Sequence, residues 1–198
     1  MMYVIGIDPS LTATAVVAIR DTGVCAPQLF TSKSPNSKGM DARILRADGL
    51  ADRVVDWVCD KEPSLVVIEG YSYGSPNRAH GVGEYGGLLR RGLLANLVRA
   101  RLVEVTPATL KRFVTGKGNA NKLAVATALV KRYGIDFGGS DDLYDAFGLA
   151  KLAACVVGWD EPANEGQRKA VATIQGMEQT ILPTPAKWST GELLTRRD

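Results

Sequence analysis

Apolar residues come first in short runs and later in helical stripes. Tyr3-Val4-Ile5-Gly6-Ile7-Asp8 is a run closed by a carboxylate. Residues 12–20, rich in Val and Thr, and residues 24–31 form two more strand-like segments, with Asp21-Thr22-Gly23 between them as a hairpin turn. Three antiparallel strands are predicted here. Residues 32–39 are a polar loop. Ile44, Ala47, Ala51, Val54, Val55 and Val58 recur at helical spacing and predict a helix over 41–61, ended by Glu62-Pro63. Leu65-Val66-Val67-Ile68-Glu69 is apolar up to its last residue, the pattern of a strand covered on both faces.

Residues 70–83 read as a loop carrying Tyr71, Tyr73, Asn77, Arg78 and His80. The next segment, 84–101, predicts a helix that is apolar almost all round, with Tyr85, Leu88, Leu89, Leu93, Leu94, Leu97 and Val98. Such a helix is buried on more than one side. One side would meet the sheet and the other a second subunit in a two-fold homodimer; the alternative is a core helix buried throughout. A strand over 102–106, a short helix over 107–114, a glycine-rich loop over 115–120 and helices over 121–133 and 141–157 complete the series. The fold class expected is α/β, a mixed sheet with helices on its faces. One domain is expected over 1–157. From 158 to 198 the chain carries Pro162, Pro183 and Pro185 and one weak helical stretch near 165–180, which reads as an appendage of unassigned role.

Composition narrows the chemistry. With 198 residues, 45% of them hydrophobic, the chain can bury a proper core, and a net charge of +3 leans only mildly toward nucleic acid. Cys25, Cys59 and Cys155 are scattered and odd in number, which points to reduced thiols in a cytoplasmic protein, not to a disulfide framework or zinc cluster. His80 is the only histidine, which excludes HExxH zinc sites and disfavours Ser-His-Asp chemistry. No basic region precedes the first apolar stretch, so no signal peptide is expected. No segment approaches the roughly 18 apolar residues of a membrane span.

The candidate chemistry lies in acids at the ends of apolar elements. Asp8 and Glu69 each close a buried-type strand, a poor place for a charge without a partner. Asp142 and Asp145, three apart, share one helical face, while Asp141 fits the helix cap or first turn beside Ser140. Taken singly, each acid has a plainer role. Asp8 in Asp-Pro-Ser opens a turn, Glu69 precedes Gly70, and the helical pair can simply be solvated. Together the four can hold two hard cations, and two cations can cut a phosphodiester. Acids that only hold cations need no shifted pKa.

The ordered set of motifs resembles a known family. Gly6-Ile7-Asp8-Pro9-Ser10 resembles the opening motif of RuvC-type Holliday junction resolvases, and Val67-Ile68-Glu69 their second motif. Thr106-Pro107, Lys111 and the stretch from Thr115 to Lys122 are similar to their basic DNA-contacting segment. Asp142-Leu143-Tyr144-Asp145-Ala146-Phe147-Gly148-Leu149-Ala150 resembles their closing helix. The likeness spans residues 3–155. It implies an RNase H-like five-stranded fold, a homodimer, and Mg²⁺-dependent nicking of paired strands at four-way or branched DNA. It assigns Asp8, Glu69, Asp142 and Asp145 as ligands of two Mg²⁺ per site, with Mn²⁺ as a substitute, and matches Lys111 and Lys122 to functional lysines. Lys122 would stabilise charge at phosphorus. Lys111, Arg112 and Lys117 would position the backbone, together with Arg90 and Arg91, for which plain solvation is the alternative. Where the family often has an aromatic, this chain has Ser72, flanked by Tyr71 and Tyr73; base stacking passes to one of these tyrosines.

Three other functions compete. A nuclease of the same fold could act on RNA–DNA hybrids, flaps or other branched DNA. An ATP-binding protein of the actin and sugar-kinase type needs a second large domain that the chain lacks. A non-catalytic DNA-binding module leaves four acids unexplained, because acids repel phosphate.

Overall fold

The computed structural model describes residues 2–34, 39–71, 79–97 and 99–177. Its strands are β1 (Tyr3–Asp8), β2 (Ala13–Arg20), β3 (Cys25–Thr31), β4 (Pro63–Glu69) and β5 (Arg101–Val105). Its helices are α1 (Met40–Asp60), α2 (Ala79–Asn96), α3 (Pro107–Thr115), α4 (Lys122–Tyr133), α5 (Asp141–Val156) and α6 (Glu165–Gln175). The strands form one five-stranded sheet in the order β3-β2-β1-β4-β5. β1, β2 and β3 pair antiparallel, while β4 joins β1, and β5 joins β4, in parallel.

Alternation along the strands divides the core in two. Val4, Leu65, Val67, Val103 and Val105 point to the side of α3, α4, α5 and α6. Ile5, Ile7, Val66 and Ile68 point to the side of α1 and α2, where they meet Leu50, Val54, Val58, Leu89 and Leu93. Both faces are covered, which is why β1 and β4 are apolar at nearly every position. The two hydroxyls of Thr14 and Tyr85, 2.5 Å apart, tie β2 to α2 inside this core.

Several boundaries differ from the sequence reading. α2 begins at Ala79, inside the segment expected to be a loop. Its glycines lower helix propensity, but one of them lets α2 pack closely on α1: a Cβ on Gly92 would stand 2.8 Å from Val55 Cγ2. α2 also ends earlier, at Asn96, and β5 starts one residue earlier, at Arg101. Nor is α2 buried all round. Tyr85, Leu89 and Leu93 are fully buried, whereas Leu94 is 43% exposed and Arg91 and Ala95 face outward.

The segment expected to be an appendage contributes to the core. Asn164 caps α6 by accepting from Gln167 N at 3.0 Å, and Ala170, Val171 and Ile174 pack among residues of α3 and α5. Arg101 Nη2 donates to the Ile174 carbonyl at 3.1 Å, fastening the end of α6 to β5. Ile174→Ala is therefore expected to lower unfolding free energy by about 2–5 kcal/mol in urea denaturation. A change below about 0.5 kcal/mol, the size of a surface substitution, would show that α6 is detached in solution. Among the described residues no helix is long and apolar enough to cross a membrane.

Candidate active site

Register and alternation place two of the four acids together. Gly6 pairs with Val67 and Ile7 with Ile68, so Asp8 and Glu69 close adjacent parallel strands. Both share a face with Val4, Gly6, Leu65 and Val67, the face covered by α5. Gly6 determines how near α5 can come. A Cβ there would collide with the Ala146 carbonyl and the Ala150 amide and would lie 2.8 Å from Leu149 Cβ. Helix backbone therefore rests directly on strand backbone, an approach only glycine permits. Asp145 immediately precedes Ala146 and Asp142 stands one turn earlier, so both are carried toward the end of β1, where they act on Asp8.

The electrostatics confirm that these carboxylates sense one another. Asp8 is pushed well above the ordinary carboxylate range, first by burial and then by repulsion from Glu69, Asp145 and Asp142. A side-chain hydrogen bond between Asp8 and Glu69 adds to the upward push on Asp8. Glu69 is raised to about 7, by burial and by Asp145, against the pull of that hydrogen bond, Lys111 and Lys122. Asp145 is raised to about 6 by burial, with Lys122 and Lys111 opposing and Asp142 and Asp141 adding to the shift. Shifted acids were not expected from the sequence. The reason is physical: several carboxylates share a poorly hydrated corner with too little positive charge to balance them. Among the described residues no group of three or more Asp, Glu, Cys or His side chains forms a ready-made metal cage.

The lysines border this corner. Asn121 caps α4 by accepting from Ala124 N at 2.9 Å, and this sets Lys122 at the start of the helix. Lys122 Nζ lies 3.8 Å from Asp141 Oδ2 and 3.9 Å from Asp142 Oδ1, and its side chain is 60% exposed. Asp141 thus sits at the rim, in the first turn of α5, and not among the buried acids. Lys111 is half-buried on α3, while Arg112 and Lys117 are exposed. Gly116, with φ 80°, ends α3 and turns the chain toward Lys117. The turn is held by Thr115, whose hydroxyl donates to Lys111 O at 2.8 Å and accepts from Lys117 N at 3.2 Å.

The aromatic and arginine expectations fare differently. Tyr73, with Ser72, lies outside the described residues. Tyr71 packs with its ring beneath the Arg90 guanidinium, 4.4 Å from its centroid, so that face is already occupied. Arg90 is no free phosphate contact. It is committed to Glu104, Gly86 and the main chain of Glu69. The carboxylate at position 104, between Val103 and Val105 of β5, was the sequence signal that could have revealed this partner. Arg91 is exposed.

No family model matches the chain. Named relatives and solved structures do. A crossover junction endodeoxyribonuclease RuvC from Mycobacterium avium is 32% identical over 136 residues, covering 66% of this chain and 69% of the relative. RuvC of Saccharopolyspora erythraea is 28% identical over 184 residues, covering 86% of each chain. A Thermus thermophilus RuvC structure, solved with a Holliday junction substrate, superposes with a TM-score of 0.58 at 21% identity, covering 76% of this chain and 91% of that one. It establishes the RNase H-like architecture. With that architecture and a relative above 30% identity, the chain belongs to the RuvC family of crossover junction endodeoxyribonucleases.

Proposed function

We propose that this protein is a Mg²⁺-dependent endonuclease that resolves four-way DNA junctions by paired nicks, acting in the cytoplasm as a homodimer. The observation that carries the reading is the convergence of Asp8, Glu69 and Asp145 on one corner of the sheet, each with a raised pKa. Such a corner is short of positive charge. Its donors are carboxylate oxygens without histidine or thiolate, a set that suits a hard cation such as Mg²⁺ or Mn²⁺ over zinc. Asp8, Glu69, Asp142 and Asp145 would be the holders. Held by these residues, cations would supply an activated water and charge stabilisation for the leaving 3′ oxygen.

The remaining chemistry belongs to the chain itself. Lys122, at the open rim beside Asp142, is placed to donate to a phosphate oxygen as negative charge builds on it. Lys111, Arg112 and Lys117 form the basic approach that would hold the backbone in register. The catalytic domain is assigned to 1–157, with α6 as its brace. The open outer face of α2, with Leu94 and Arg91, is the surface we assign to the second subunit. A two-fold dimer would set two sites against two strands.

Lys122→Ala is expected to slow junction cleavage at least about tenfold at saturating Mg²⁺, read in single-turnover assays. An unchanged rate would remove Lys122 from the chemistry. The proposed function is tested by offering a four-way junction, a flap, a plain duplex and an RNA–DNA hybrid, each with Mg²⁺ and with EDTA. Paired nicks in the junction, dependent on Mg²⁺, are expected. Preference for the flap or hybrid would favour the other branched-substrate reading.

A further inference from the structure

Arg90 is 16% exposed, and every edge of its guanidinium has a protein partner. Nε donates to Glu104 Oε2 at 2.6 Å, Nη1 to Gly86 O at 3.1 Å and Nη2 to the main-chain carbonyl of Glu69 at 2.9 Å. Its flat face covers the Tyr71 ring. Two glycines make this possible. A Cβ on Gly70 would stand 3.0 Å from Glu104 Oε1, and one on Gly86 would stand 2.6 Å from the Tyr71 hydroxyl. Gly70 N donates to Val105 O at 2.8 Å, which holds the same segment to β5. Arg90 thus holds the Glu69 carbonyl and covers Tyr71, while β5 holds the Gly70 amide between them.

We propose that Arg90 is a positioning residue: through its fork it fixes the Glu69 main chain, and so aims the Glu69 carboxylate at the cation. This rests on reading Glu69 as a metal ligand. The action depends on shape more than on charge. Arginine offers several donors in one rigid plane and a face for stacking, whereas lysine offers a point charge that cannot reach Glu104 and the Glu69 carbonyl while covering a ring. A phosphate-binding arginine would keep its fork open to solvent; this one is closed by protein. Groups that orient metal ligands in this way commonly govern both metal affinity and rate.

The test compares wild type with Arg90→Lys, Arg90→Gln and Glu104→Gln. Mn²⁺ binding to the metal-free protein is measured by calorimetry. Junction affinity without metal, and kcat and KM on a four-way junction, are measured beside it. Both Arg90 variants are expected to lose about 10–100-fold in Mn²⁺ affinity and in kcat, with KM and metal-free junction affinity unchanged. Lysine should not rescue. Glu104→Gln, which leaves Arg90 in place, should show a smaller loss in the same two quantities; it carries the test if the Arg90 variants do not fold. Wild-type behaviour of Arg90→Lys, a loss confined to junction affinity, or a fully normal Glu104→Gln would overturn the proposal. If wild type itself neither binds Mn²⁺ nor cuts, the reading of Glu69 fails and the proposal with it, a result distinct from the others.

Discussion

Asp8→Asn is expected to bind a four-way junction as tightly as wild type and to cut it at least about a thousandfold more slowly. The magnitude follows from losing several kcal/mol of charge stabilisation at phosphorus, each 1.36 kcal/mol being tenfold in rate. Asn keeps the shape of Asp8 but removes its ionisable carboxyl, which burial and the neighbouring acids push upward. The same change should stabilise the metal-free fold at neutral pH. The folded-state pKa values of Asp8, Glu69 and Asp145 all lie above their ordinary values, the last two at about 7 and about 6. Raised carboxylate pKa values mean that the folded state holds protons the unfolded chain releases. Their contribution is fully present below the ordinary values, 3.8 for Asp and 4.5 for Glu, and is lost as pH rises through 6 and 7. In EDTA, wild type should therefore melt lower at pH 8 than at pH 5, and Asp8→Asn should narrow that gap. Full cleavage by the variant, or an unchanged gap, would contradict the role given to Asp8.

Gly6→Val is expected to cost at least about 3 kcal/mol or to prevent folding, more than its position in an apolar strand would suggest. The physical cause is the contact between backbones. A side chain on Gly6 points into the carbonyl of Ala146 and the amide of Ala150, neither of which can move without displacing α5 as a whole. Displacing α5 also carries Asp142 and Asp145 away from Asp8 and Glu69. Gly6→Ala, the milder change, should therefore lose more activity than its loss of stability in urea accounts for. Wild-type stability together with wild-type cleavage would show that α5 does not sit as close as described.

These two residues also show what was legible beforehand. Asp8 and Glu69 stand out because a buried strand has no use for a terminal charge, and the run lengths alone expose them. That β1 and β4 are neighbours is a fact of topology, and it needs the sheet order to bring the pair together. Gly6 looked like part of a motif; its function as the seat of α5 appears only when the helix is in place. The start of α2 was hidden because Gly81 and Gly83, within the first turns of the helix, argue for a loop. α6 was read as marginal because its apolar positions are few, yet Ala170, Val171 and Ile174 suffice once α3 and α5 present a surface. Arg90 was misassigned for a different reason: its partners, Glu104 and the carbonyl of Glu69, lie far from it in sequence or belong to the main chain.

The most direct measurement is anomalous diffraction from crystals of the protein with a four-way junction and Mn²⁺. Manganese peaks bounded by Asp8, Glu69, Asp142 and Asp145, beside a scissile phosphate, are the predicted result. Manganese bound elsewhere, with these four carboxylates empty in the presence of the junction, would contradict it.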